Sequence, residues 1–383
     1  ANDDSLANGG DTITLSLTAS EAIVLPSVLL GGQVASVTGD GVSYAATYTV
    51  DAVDVASADG AAVSIEVSFS DLAGNAGATV TSVTDSSGVT IDLTVPTLAS
   101  VTIVSDNADD STRANAGDEI RLSITASEDI MTPTVTIAGS SAAVSGAGRG
   151  PTYTATYTVA ASDDDGRASL SIGFQDIAGN VGATSTAVTD GSKVTIDLTA
   201  PTLTSVHIES DNADLLSRAN DGDTITLSFV SNEDIVTPTV RIAGEIAAVT
   251  ETDAKTWSAA YVVVGSAVDD GTASVSISFT DLASNAGTTV TSVSDGSAVT
   301  IDLTAPELTT VSITSNNVDY STVANEGDVI TVSLTADEDV TGVSMLIAGQ
   351  SASVSGSGRT YTGTYTVIAA DVMGGVAASL LID

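Results

Sequence analysis

Asp223-Thr-Ile-Thr-Leu-Ser-Phe229 alternates polar and apolar residues at every step, with Ile225, Leu227 and Phe229 on one side. Successive side chains of an extended strand point to opposite faces, so this stretch reads as a strand with one buried face. Working outward, the same alternation marks Leu203–Ile208 after Pro201, then Thr239–Ala243, the short Ile246–Thr250 and Trp257–Val263. Thr272–Thr280 turns Ala273, Val275, Ile277 and Phe279 inward, and Ala298–Asp302 closes the set. Gly, Asn and Asp punctuate these runs, and no stretch sustains a helical period. Seven short strands in roughly 105 residues is the expectation for an immunoglobulin-like β-sandwich.

The unit is copied. Ile-Asp-Leu-Thr recurs at Ile91–Thr94, Ile196–Thr199 and Ile301–Thr304, with Pro96, Pro201 and Pro306 following. A fixed long period means one folded unit in tandem, so the expected architecture is an all-β array of seven-stranded immunoglobulin-like sandwiches. The copies are 1–93, lacking a first strand, then 94–198, 199–303, and 304–383, which stops before the last strands. Phe69, Phe174 and Phe279 hold one place in the sixth strand, and Tyr48, Tyr157, Tyr261 and Tyr365 one place in the fifth. Both series read as core. Gly-Asp opens the second strand at Gly10, Gly117, Gly222 and Gly327, which reads as turn chemistry.

Composition narrows the function. Apolar residues make up 43% and aromatics 3%, so the cores must be built from Val, Ile, Leu and Ala. Acidic residues number 49 against 9 basic, a net charge of −40, which repels nucleic acid and anionic membranes and attracts cations. Cysteine is absent, which excludes disulfides and thiol chemistry. No apolar run is long enough to span a bilayer as a helix.

The acids are clustered. In a sandwich of seven strands the turns after the first, third and fifth strands share one pole with the chain's exit, and the remaining turns share the other. Asp106, Asp109, Asp110, Asp163, Asp164, Asp165 and Asp197 fall at the exit pole of the second copy. Asp211, Asp214, Asp269, Asp270 and Asp302 fall there in the third. Glu233, Asp234 and Asp281 fall at the opposite pole of the third copy, facing Asp197 across the linker Asp197-Leu-Thr-Ala-Pro201. So many neighbouring carboxylates call for a counter-charge. Ca²⁺ fits best, as a hard ion taking six to eight oxygens in flexible geometry; Mg²⁺ demands a tighter octahedron, and Zn²⁺ is poorly served by one His and no Cys. The competing readings are solvated acidic turns or a halophile-style acidic coat. Asp71–Asn75, Asp176–Asn180 and Asp281–Asn285 repeat the pattern Asp-Leu/Ile-Ala-Gly/Ser-Asn, which reads as a tight turn in preference to a ligand site.

Several chemistries find no residues. His207, the single histidine, lies between inward-pointing Val206 and Ile208 and reads as a surface residue. No Ser-His-Asp set can be assembled in each copy, and no Gly-rich phosphate loop occurs. Lys193 and Lys255, the two lysines, occupy different places in their copies, which excludes a Lys–Asn crosslink in every unit. No Asn-X-Ser/Thr sequon is present, and no exposed aromatic platform recurs to favour a glycan-binding module. The expectation is a non-enzyme.

Asp197–Pro201, Ser210–Asp214, Gly222–Phe229, Thr237–Gly244 and Phe279–Asn285 together resemble the bacterial Ig-like repeats of very large surface proteins. The likeness covers essentially the whole chain. It implies an extracellular stalk or filament of a cell-surface adhesin, with Ca²⁺-stiffened junctions and neighbouring repeats as partners. The fourth copy departs, with Asn316 where Asp106 and Asp211 stand. At ~3.3 Å rise per strand residue each unit spans roughly 35–45 Å, and the array about 150 Å with straight junctions. Ala1 falls in the turn that would follow a first strand and Asp383 within a sixth. These ends fit a longer chain seen in part, or protomers that accept strands from neighbours in a filament.

Overall fold

Burial alternates residue by residue along central strands such as Glu119–Met131 and Thr224–Ser231, as a one-faced strand requires. The computed structural model describes residues 3–51, 53, 59–253, 255–371 and 380–382. The strands of this all-β chain pair into eleven small sheets, and no helix occurs among the described residues. The chain separates by packing into two compact units, one of Ala1–His207, Leu227–Ala260 and Ser274–Gly296, the other of Ile208–Thr226, Tyr261–Ala273 and Ser297–Asp383. The dividing line passes through the third repeat.

The second repeat shows the plan in full. One sheet runs Ala143–Gly146, Arg149–Thr158, Glu119–Met131, Leu98–Ser105, all antiparallel. The facing sheet runs Ser140–Ser141, Thr134–Ile137, Leu170–Gly173. Ile120, Leu122, Ile124, Ile137, Ala155 and Ile172 fill the space between them and are buried completely or nearly so. A third ladder closes the pole: Arg113–Ala114 lies parallel to Thr195–Ile196, which pairs antiparallel with Gly166–Arg167. In the first three repeats the pairing of a short early strand with the last one ties the exit to the repeat's first half.

In the third repeat the strands Leu203–Ser210, Thr224–Ser231, Thr239–Ile242 and Thr256–Val262 lie where the alternation places them. Two expected strands are each divided. The stretch expected at 246–250 is Glu245–Ile246 and Ala248–Asp253, and that at 272–280 is Gly271–Thr272 and Val275–Ser278. The first division falls at Ala247: Glu245–Ile246 folds back on Arg241–Ile242 through the turn Ala243-Gly244, both with positive φ (53° and 86°), whereas Ala248–Asp253 pairs with Thr256–Ala260 in the other sheet. Arg218–Ala219, read from sequence as part of a turn, is a strand parallel to Thr300–Ile301. Two residues carry no periodic signal.

The aromatic series needs one correction. Tyr48, Tyr157, Tyr261 and Tyr365 are half-buried, and the enclosed aromatics are Tyr44, Tyr153 and Trp257, four residues earlier on the same face. The later position lies near the acidic pole, where the Tyr157 hydroxyl donates to Asp163 and that of Tyr365 to Asp371. Tyr44 and Tyr153 each donate a buried 2.8 Å hydrogen bond, to the Ile23 and Ile130 carbonyls. Trp257 fills the same volume with its Nε1 buried and without a hydrogen-bond partner.

Trp257, the chain's single tryptophan, is 2% exposed and so reports on the third repeat alone. Leu227 is fully buried beneath the same sandwich. Leu227→Ala should therefore destabilise this repeat by about 2–5 kcal/mol, read as an earlier urea midpoint in Trp fluorescence. An unchanged midpoint would contradict the packing described.

Candidate metal centre

The turn Asp281–Asn285 is built around a carboxylate that is 1% exposed. A buried charge survives only with its lone pairs engaged. Asp281 Oδ1 accepts the backbone N–H groups of Ala283 and Asn285 at 2.8 Å, and Oδ2 accepts the Asn285 side-chain amide at 2.8 Å. Asp176 does the same with Gly179 and Asn180 in the second repeat, at 2.6–2.8 Å. Two residues beyond Asn285 the chain must pass a ring: a Cβ at Gly287 would stand 2.3 Å from Phe279, so glycine is required there. The recurrent motif is thus a turn, as its residues suggest.

The same turn also grips the preceding repeat. The amide Nδ2 of Asn285 donates to the Asp197 carbonyl at 2.8 Å, and that of Asn180 to the Asp92 carbonyl at 2.9 Å. Asn107, 7% exposed, donates to the Ala283 carbonyl at 2.8 Å, and Ser284 Oγ donates to Asp109 at 2.6 Å. Ser284 has φ 69°, where the first two repeats place Gly74 and Gly179. Its side chain accepts a left-handed conformation that costs on the order of 1–2 kcal/mol and contributes this contact in return.

On the linker side, Asp165 accepts Leu198 N–H at 2.6 Å and the Thr199 hydroxyl at 2.7 Å. Asp59 and Asp270 cap the other two linkers through Leu93 and Thr94, and Leu303 and Thr304. Hydrogen bonds from the Thr199 hydroxyl and then from Leu198 hold the Asp165 carboxyl below its ordinary range.

These contacts bring three carboxylates together at each of two junctions. Asp197, Glu233 and Asp281 offer oxygens within 4.8 Å of one another, and so do Asp92, Glu128 and Asp176. Burial first, then the charge of Asp281, raises the Asp197 carboxyl. Burial, then Asp197 and Asp281, raises Glu233. Asp92 and Glu128 are raised by burial first in the same way, then by neighbours that include Asp176. Arg113 stands 3.5 Å from Asp197 and offsets part of this repulsion.

The remaining acids singled out in the sequence lie elsewhere. Asp106 and Asp211 accept strand-opening N–H groups of Glu119 and Thr224. Asp110 holds Thr112 and pairs with Arg113, Asp163 holds Tyr157 and Ala160, and Asp302 pairs with Arg218 at 3.2 Å. Asp214 hydrogen-bonds through its backbone N–H to Asn212. No cluster among the described residues includes Asp234 or Asp269. Asp92, Glu128 and Asp176 were not singled out as ligands, although a signal existed: Glu21, Glu128, Glu233 and Glu338 each stand 11 residues after the glycine that opens the second strand.

No protein-family profile matches the chain, and no curated protein does. Among solved structures, it is similar to the I9–I11 tandem of titin, at 10% identity over 78% of this chain and 95% of that one, with a TM-score of 0.30. The full ectodomain of mouse nectin-like molecule 4 overlays at 11% identity, covering 77% and 96%, with a TM-score of 0.26. A putative membrane-anchored protein from Corynebacterium diphtheriae overlays at 10% identity, covering 80% and 92%, with a TM-score of 0.21. Overlays this loose carry no argument; the tandem immunoglobulin-like fold stands on the strand pairing itself.

Because these acids bind protons more tightly folded than unfolded, they stabilise the folded junction at low pH. That contribution is lost as pH rises through their folded values. Asp281→Asn should lower the titration midpoint of Glu233 toward the ordinary carboxylate range and flatten this pH dependence. Carbon-detected NMR titration of Glu233 measures it. A Glu233 midpoint indifferent to the substitution would separate the two groups electrostatically.

Proposed function

We propose that the chain is a non-catalytic structural spacer, an extracellular stalk of a large cell-surface adhesin whose junctions are stiffened by Ca²⁺. The observation that carries this reading is the recurrence of one carboxylate triad at two successive junctions, each assembled from the exit of one repeat and two turns of the next. Asp197, Glu233 and Asp281 would hold one ion, and Asp92, Glu128 and Asp176 the other. Two oxygens bound to one Ca²⁺ at roughly 2.3–2.6 Å lie no more than about 5 Å apart, and the triads meet that limit. The donor set is all oxygen, which suits a hard cation, and the carboxyls of Asp197 and Glu233 are raised by burial first and then by neighbouring carboxylates, both of which a bound cation would offset. A bound ion would link the linker aspartate to the next sandwich and restrict bending there. The absence of cysteine and the high acidic load suit folding where Ca²⁺ is plentiful. Neighbouring repeats are the partners this reading requires, with no role for nucleic acid.

Ca²⁺ at 100 times its dissociation constant should stabilise each occupied junction by about 2.7 kcal/mol. Calorimetry should show a rise of several degrees in melting temperature in Ca²⁺ over EGTA, a smaller rise in Mg²⁺, and loss of the effect in Glu233→Gln/Asp281→Asn with Glu128→Gln/Asp176→Asn. X-ray scattering should show a longer, stiffer particle with Ca²⁺. A melting temperature and a scattering profile indifferent to EGTA would remove the metal from the proposal.

A further inference from the structure

The first and last segments of a repeat lie side by side and run the same way. In the second repeat, Thr189 N–H donates to the Val101 carbonyl and Val101 N–H to Thr189 Oγ1, both at 2.9 Å. Ile103 N–H donates to Ser192 Oγ at 2.9 Å. Further along, Thr195 N–H donates to the Thr112 carbonyl at 2.8 Å and Asp197 N–H to the Ala114 carbonyl at 2.9 Å. Residue numbers rise together on the two sides, from Val101 to Ala114 and from Thr189 to Asp197, so the segments are parallel along the whole seam. Arg113 crosses the same seam to Asp197 at 3.5 Å.

The third repeat keeps each of these fastenings. Ser294 N–H donates to the Val206 carbonyl and Val206 N–H to Ser294 Oγ, both at 2.9 Å, and Ile208 N–H donates to Ser297 Oγ at 3.0 Å. Thr300 and Asp302 donate to the Ser217 and Ala219 carbonyls at 2.9 Å, and Arg218 reaches Asp302 at 3.2 Å. The exit-end pair recurs in the first repeat, with Thr90 on Ser5 at 2.8 Å and Asp92 on Ala7 at 3.0 Å. Two of the chain's nine cationic residues thus hold the aspartate of a last strand to an early one.

Chain order decides how load would reach this seam. The early segment of the second repeat leads back into one linker through Pro96, and the last segment leads out into the next through Leu198. Tension between the two linkers draws the early segment one way and the last segment the other, along their common direction. The bonds of a parallel pair are evenly spaced, so this pull strains them together and none can lengthen far before the rest. The early strand is also paired along Glu119–Met131, which keeps it from peeling away by itself. Every strand from Glu119 to Gly173 lies between the two segments in the chain, so that part of the sandwich is shielded until the seam parts.

We propose that this seam is a mechanical clamp, which lets the second and third repeats bear tension along the chain without unfolding. The clamp lies within a repeat and needs no cation, so it stands or falls separately from the junction sites.

The chain contains no cysteine, so pairs of introduced cysteines place handles on the second repeat of the whole chain. Val95→Cys/Ala200→Cys directs force along the seam, whereas Ala116→Cys/Ala200→Cys pulls the exit ends of the two segments apart; all three positions are exposed. Optical tweezers in EGTA should show the first geometry unfolding at about twice the force of the second or more, since forced unfolding follows the unfolding rate. It should unfold in one step that lengthens the tether by roughly 300 Å. Thr189→Val/Ser192→Ala removes two hydroxyl acceptors from the seam. It should lower the force in the first geometry and leave it unchanged in the second, where the exit-end bonds part first. Equal forces in the two geometries would overturn the clamp. An equal loss of force in both geometries on Thr189→Val/Ser192→Ala would also overturn it, since those hydroxyls would then stabilise the fold without bearing load.

Discussion

A carboxylate that is 1% exposed organises each of two junctions. Asp176 and Asp281 cannot be buried unless their oxygens are met, so the following residues wrap to present backbone N–H groups, and the Asn at the end of the turn brings its amide to the second oxygen. With one amide hydrogen so used, the other is aimed at the linker carbonyl of Asp92 or Asp197. One buried charge therefore shapes the turn, tethers the preceding repeat and brings a second carboxylate to its side.

That tether sets two effects against each other. Neutral hydrogen bonds contribute about 0.5–1.5 kcal/mol each, and those to a charged group about 1.5–3 kcal/mol. The linker aspartate and the glutamate beside the turn then crowd the same volume, and burial first, with neighbouring charge second, opposes their ionisation. Arg113 relieves the second junction in part. The hydrogen-bonded frame holds the triads in place despite their charge, which is the condition for a preformed cation site.

The strands were legible because each buries one face by alternation, and that signal is strong in Thr224–Ser231 and Leu203–Ser210. Arg218–Ala219 leaves no signal because two residues have no period, and the divided strands pass from one sheet to another, a step that alternation alone does not mark. The opposition of Asp197 to Glu233 and Asp281 followed from counting turns at the poles. Glu128 and Asp176 stand outside the runs of aspartate, and those runs serve as caps: Asp106, Asp110, Asp163 and Asp165 each spend oxygens on nearby N–H and hydroxyl groups.

By itself the sequence determined the strand pattern, the repeat and the acidic poles, since alternation, period and charge are local or additive properties of the chain. Tertiary structure decided which acids meet and which merely cap turns. Those outcomes depend on the distance between residues some 36 to 84 positions apart, as from Asp197 to Glu233 and Asp281. Such distances exist only once sandwiches have closed and one repeat has been fastened to the next.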